Sequence, residues 1–173
     1  HYVLLGQDFS KTELIIMGGT FMSYPKIYRD EFITYALKGM NDFGDLFFRD
    51  GHLLREQFME FFELPADVHD EARMKRVQKK ILRLKETSTL AHEQLRNETG
   101  HVRCVVFCIE TRSDCSKKVH IDEMLALGTT RVEVGVQSLY DDVLQHVKRG
   151  NTNHDNIAAT QLLKNSFLKV GYH

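Results

Sequence analysis

The chain has 173 residues, with 23 basic side chains against 24 acidic ones and a net charge of −1. That length can bury a sizeable core in one domain or a large piece of one, and the near-neutral balance gives no global field toward nucleic acid or membrane. No apolar run of about 18 residues spans a bilayer and no signal peptide opens the chain. The three cysteines and two prolines suit a reducing cytoplasm better than a disulfide scaffold.

The chain opens without methionine on HYVLLG and closes on LKVGYH, as expected of a segment of a longer protein. ELIIMGG (13–19) reads as a short strand closed by paired glycines. A helix follows from about Pro25 to Lys38, with proline suited to its first turn. VRCVVFCIE (102–110) is a second apolar strand, followed by the amphipathic HIDEMLALG (120–128) with a glycine stop. TRVEVGV (130–136), helices near 139–148 and 155–163, and the strand LKVGYH complete the series. Alternation of this kind predicts parallel βα units, and nearly continuous apolar strands predict burial on both faces.

Residues 41–101 break the rhythm. An aromatic group, Phe43, Leu46, Phe47 and Phe48, precedes a helix ending at Pro65, and a long helical stretch follows from Asp70 to about Asn97. Such an excursion reads as a helical insertion within the α/β domain.

Side chains alternate across a strand, so Val132, Val134 and Val136 share one face while Arg131, Glu133, Gly135 and Gln137 share the other. In the last strand Lys169, Gly171 and His173 oppose Leu168, Val170 and Tyr172. Lys169 and His173 could reach substrate from that parity, ordinary packing being the plainer reading. One apolar and one polar, glycine-spotted face predict a barrel whose lumen holds a ligand at the carboxyl ends of the strands.

At those ends MGGTF (17–21) allows close backbone approach to a ligand, or is simply a tight βα turn. Glu110 in CIETR is either an acceptor for ribose hydroxyls or a solvated acid. Cys104, Cys108 and Cys115 lack the close pairing of zinc ligands and read as structural thiols, so no metal ligand is assigned. RMKRVQKKILRLK (73–85) carries seven basic residues and no acid. Lys75, Arg76, Lys79, Lys80 and Arg83 fall largely on its exposed side, as a solvated face or a phosphate-backbone site.

Taken together, ELIIMGGTFMSYP, CIETRSD, HIDEMLALGTTRVEVGVQSLYDDVLQHVKRGNT and LKVGYH resemble, in order, the radical S-adenosylmethionine domain of the Elongator catalytic subunit family, with the archaeal-type tRNA uridine carboxymethyltransferases nearest. The insertion, NDFGDLFF through FFELP to QLRNE, shares the resemblance. It implies a partial parallel (β/α)6 barrel of TIM-like type, of which residues 1–173 form the central part.

The activity implied is formation of 5-carboxymethyluridine at the wobble uridine of tRNA from S-adenosylmethionine and acetyl-CoA, in the cytoplasm. A four-iron four-sulfur cluster is implied too, its ligands lying outside this chain, so the segment alone is expected to be inactive. By the same resemblance Gly18, Gly19 and Thr20 meet the methionine amino group, Glu110 and Gln137 contact ribose beside Ser138, and Arg149 pairs with the methionine carboxylate. The implied partners are tRNA, acetyl-CoA, and other Elongator subunits or a second copy. A non-catalytic tRNA-binding scaffold and a radical enzyme of the coproporphyrinogen dehydrogenase type are the alternatives. The chain departs from the family's C-x9-C-x2-C triplet, which it lacks, from TRPD (here Thr111-Arg112-Ser113-Asp114) and from RGHT (here Arg149-Gly150-Asn151-Thr152).

Overall fold

A computed structural model describes residues 2–173. They divide into two compact units: residues up to 11 with 34–103, and residues 12–33 with 104–173.

The second unit is built on a four-stranded sheet in the order β1 (Lys11–Ile16), β4 (Arg103–Thr111), β5 (Arg131–Val134), β6 (Lys169–Tyr172). β4 pairs with β5 in parallel, and β5 with β6, with Glu110 opposite Glu133 and Glu133 opposite Gly171. Spatial order follows chain order without a reversal, as in a segment of barrel wall and unlike a doubly wound sheet. The crossovers run through α6 (Lys118–Leu127) and through α7 (Asp141–His146) with α8 (Asn153–Asn165). Gly128, left-handed at φ 90°, ends α6 as its sequence position predicts. Thr152 and Asp155 form a reciprocal capping box at the start of α8.

The core of this unit is aliphatic: Ile109, Val132, Val134, Met124, Leu144 and Leu163 are essentially inaccessible. Each such side chain contributes about 1.5–3 kcal/mol of transfer free energy. The predicted strand parity is present in space. Val132 and Val134 are buried in this core, while Glu133, Gly135 and Gln137 line one cavity.

The first unit contains α1 (Tyr2–Leu5), the hairpin β2 (Phe48–Arg49) with β3 (His52–Leu53), α3 (Arg55–Phe61), α4 (Glu71–Leu84) and α5 (Leu90–Thr99). Residues 41–101 lie wholly within it. The helix expected to stop near Lys38 instead runs as α2 from Lys26 to Phe47, because the aromatic run occupies its inward positions. Phe47 is 2% exposed and meets Phe43, Phe58, Phe61 and Phe62 at ring-centroid distances of 4.9–5.8 Å.

The long helix expected over 70–97 is two helices. Asp70 caps α4 by accepting the Arg73 N–H at 2.9 Å, and Thr89 caps α5 by accepting that of His92 at 3.3 Å. A buried polar knot joins α5 to α2. Glu93, 1% exposed, accepts from Asn41 at 2.8 Å, Ser88 at 2.6 Å and both ways from Arg96, whose other nitrogen reaches Asp42 and Asp45.

Candidate functional site

At the carboxyl ends of the strands the second unit encloses a polar cavity of about 390 Å³, lined by Gly19, Thr20, Glu110, Thr111, Arg112, Glu133, Gly135, Gln137, Arg149 and His173. It follows from the pleat. Glu110 and Glu133 are register partners and so point to the same face, and Gly135 and Gln137 continue that parity.

Local backbone devices aim each group. Gln137 is left-handed at φ 65°, and its N–H donates to the His173 carbonyl at 2.6 Å. The end of α7 is a Schellman motif: Lys148 is left-handed at φ 51°, its N–H reaches Gln145 at 3.0 Å, and the Arg149 N–H reaches Leu144 at 2.9 Å. That turn sends the Arg149 side chain back over the strand end, where Nη2 donates to the Gly135 carbonyl at 3.3 Å. Arg149 Nε is buried without a hydrogen-bond partner, and no acid pairs with this guanidinium among the described residues. The residue as a whole is half-buried, and a shielded guanidinium nitrogen with no acceptor favours an anionic partner, so an anionic ligand group fits here.

Glu110 accepts the Gly18 N–H at 3.3 Å, which ties the first strand end to the second. Glu133 pairs with Arg131 and lies 3.4 Å from His173 Nε2. Its carboxylate covers Gly171 so closely that a Cβ there would lie 2.0 Å from Oε2. Arg112 makes a two-pronged pair with Asp114, Nε to Oδ1 at 2.9 Å and Nη2 to Oδ2. That pair raises the arginine above its ordinary value and holds the aspartate below its own.

Gly19, Thr20, Glu110, Gln137 and Arg149 are therefore brought together. Gly18 supplies a backbone contact to Glu110 from outside the lining. Ser138 stands apart: it is half-buried, lies outside the cavity lining, and its Oγ accepts the Tyr140 N–H at 3.1 Å ahead of α7. Arg112 and Glu133 were not singled out from sequence. For Arg112 the signal was an acid two residues on, and for Glu133 the strand parity already noted. The two positions that depart from TRPD and RGHT are both buried, Ser113 at 3% and Asn151 at 5%. Ser113 Oγ and Asn151 Oδ1 have no hydrogen-bond partner among the described residues.

The three cysteines are half-buried or buried. Burial raises all three thiols, Cys108 to about 11. Among the described residues no three His, Cys, Asp or Glu side chains converge as a metal site, so the residues present do not fit an iron–sulfur cluster. No described helix is long and apolar enough to cross a membrane.

In the first unit the basic helix α4 is partly neutralised. Arg76 and Lys80 both pair with Glu63, at 2.7 and 2.9 Å, and pull that carboxyl down to about 2, hydrogen bonds from Arg76 and then Lys80 being the leading causes. Lys75, Lys79 and Arg83 are exposed, one turn apart on a single stripe.

The family model for the radical SAM superfamily matches residues 3–173. The chain is 38% identical over 98% of its length to a tRNA uridine(34) acetyltransferase of Methanocaldococcus infernus, and 32% identical over 98% to Elongator complex protein 3 of Saccharomyces cerevisiae. It covers 24% and 23% of those proteins, so it spans about a quarter of the length of the curated relatives it matches. A solved structure of archaeal Methanocaldococcus infernus Elp3 with an N-terminal deletion superposes with a TM-score of 0.73 at 38% identity, over 99% of this chain and 30% of that one. With the parallel sheet and its strand-end cavity, these matches show that the chain belongs to the radical SAM superfamily and resembles the radical SAM domain of the Elongator catalytic subunit.

Proposed function

We infer that this chain is the S-adenosylmethionine-binding core of an enzyme that modifies the wobble uridine of tRNA. Half-buried Arg149, its Nε shielded and without a hydrogen-bond partner and no acid beside it among the described residues, lines a polar strand-end cavity, and is the observation that carries this reading. A guanidinium offers a planar fork for the methionine carboxylate. Gly18, Gly19 and Thr20 leave backbone close to the amino group, Glu110 and Gln137 accept from or donate to ribose hydroxyls, and Ser138 shapes the turn beside them. The bound cofactor would supply, on reductive cleavage, a carbon radical. The residues of this chain would hold and orient it, with Arg149 at its carboxylate.

The names of the relatives point to uridine 34 of tRNA. We extend this to 5-carboxymethyluridine as product and acetyl-CoA as co-substrate, with the four-iron four-sulfur cluster held by residues other than those described. Lys75, Arg76, Lys79, Lys80 and Arg83 offer tRNA a cationic helix face. Other Elongator subunits or a second copy are the protein partners.

The test is turnover by the full-length protein, prepared anaerobically and given reductant, S-adenosylmethionine, acetyl-CoA and tRNA. Formation of 5′-deoxyadenosine and of carboxymethyluridine is expected. If neither forms while tRNA still binds, the non-catalytic scaffold replaces the enzyme.

A further inference from the structure

Two arginines line the polar cavity, and their electrostatic situations differ. Arg149 meets no acid among the described residues. Arg112 is held edge-on by Asp114, which occupies Nε and one N–H of Nη2. One face of Arg112 looks toward Gly150. Gly150 is left-handed at φ 84°, and the point where its Cβ would stand lies 3.5 Å from Arg112 Nη2, 3.9 Å from Cζ and 4.0 Å from Nη1. A side chain here would stand over the guanidinium, and glycine leaves that face clear. The Arg149-Gly150 dipeptide thus does two things at once. It carries one guanidinium into the cavity and keeps room beside the other.

We propose that Arg112 is a further binding residue of this site, oriented by Asp114 and left room by Gly150, and that it donates to uncharged oxygen or nitrogen acceptors on the nucleoside half of the ligand. The proposal rests on S-adenosylmethionine being that ligand. Charge decides between the two arginines. The Arg112–Asp114 pair is neutral as a unit, so an arriving carboxylate would meet the aspartate across the same guanidinium and gain little. A neutral acceptor loses nothing to that repulsion, and still receives a charge-assisted hydrogen bond from Nη1 or the outer N–H of Nη2. The carboxylate goes instead to Arg149, which has no acid to share. Fixing the fork in advance also lowers the ordering cost that a free arginine would meet on binding.

Two ligands separate these roles in the full-length protein. S-adenosylhomocysteine carries nucleoside and amino-acid ends, whereas 5′-methylthioadenosine carries the nucleoside alone. Titration calorimetry of Arg112→Gln is expected to show both ligands weakened by about tenfold, the loss of one charge-assisted hydrogen bond. Arg149→Gln is expected to weaken S-adenosylhomocysteine and leave 5′-methylthioadenosine unchanged. Arg112→Lys, which keeps the charge without the fork, is expected to lose as much as Arg112→Gln, and it carries the test should the glutamine variant fail to fold. Unchanged 5′-methylthioadenosine binding in both Arg112 variants, or loss confined to S-adenosylhomocysteine, overturns the proposal. Failure of the wild type to bind either ligand instead overturns the proposed cofactor site, a result visible before any variant is made.

Discussion

A Cβ on Gly135 would stand 2.7 Å from Arg149 Nη2 and 3.3 Å from Gln137 Nε2. Gly135 and Arg149 lie 14 residues apart, yet the missing side chain of one is the space occupied by the other. The nearest obstacle is the far end of a flexible side chain, so the fold can tolerate a methyl here but the guanidinium must move.

Gly135→Ala is therefore expected to keep its thermal midpoint within a few degrees and lose S-adenosylhomocysteine affinity by about ten- to a hundredfold, the range for a charged hydrogen bond. Calorimetry beside thermal denaturation checks both halves. Intact affinity would mean that Arg149 does not hold the carboxylate.

Glu63 restrains the cationic helix. Glu63→Gln releases Arg76 and Lys80 from their carboxylate, and tRNA binding by the full-length protein should tighten and depend more steeply on salt, since each added phosphate contact raises the slope of log K against log salt by nearly one. Lys75→Glu with Lys79→Glu should do the reverse. A salt slope unmoved by all three changes would remove α4 from tRNA binding.

Glu93 links pH to stability. Burial pushes its carboxyl up, but hydrogen bonds from Ser88 and Asn41 and the charge of Arg96 outweigh it, leaving the group below its ordinary 4.5. A depressed folded value means that the unfolded chain binds the proton first. The stabilisation is thus complete above about 4.5 and is lost as pH falls through the lower folded value. Glu93→Gln removes the buried carboxylate while Arg96 keeps Asp42 and Asp45, so it should cost about 1–2 kcal/mol in urea denaturation at pH 7 and flatten the acid limb of the stability profile.

Cys108 is 1% exposed and its thiol is raised by burial to about 11. At pH 8 almost none is thiolate, the reactive form. Iodoacetamide should leave it unmodified in the folded protein over hours and label it quickly in urea, as peptide mass analysis would show. Rapid labelling of the native protein would refute this burial.

The α/β architecture was legible because β4 is a continuous apolar run while β5 and β6 carry period-two patterns, and topology overruled neither. The lumen face of β5 followed from parity alone, and with it the placement of Gln137 and Glu133 at the cavity. Helix limits were less legible. Phe43 and Phe47 look like a separate aromatic cluster in sequence, and only packing against Phe58, Phe61 and Phe62 shows them to be the inner face of α2. The break between α4 and α5 was hidden because Thr89 is one polar residue among several, and its capping role depends on the backbone it meets. Periodicity put Arg76 and Lys80 on the exposed side of α4, but their neutralisation comes from Glu63, 13 and 17 residues upstream. Arg112 was hidden for a similar reason: Asp114 orients it, but the cavity that it lines includes Arg149 and His173, 37 and 61 residues away in the chain.

The backbone of Gln137 has a wider consequence. Its N–H is tied to the carbonyl of His173, so a residue that lines the cavity is fastened to the end of the last strand. Free energies coupled in this way are reciprocal. Whatever fixes Gln137 from the cavity side also resists opening of β6, and whatever braces β6 from outside sharpens the cavity. Occupancy of the site and the hydrogen-exchange lifetime of the β6 amides should therefore rise and fall together, so that a ligand bound there would brace the sheet edge as well as fill the cavity.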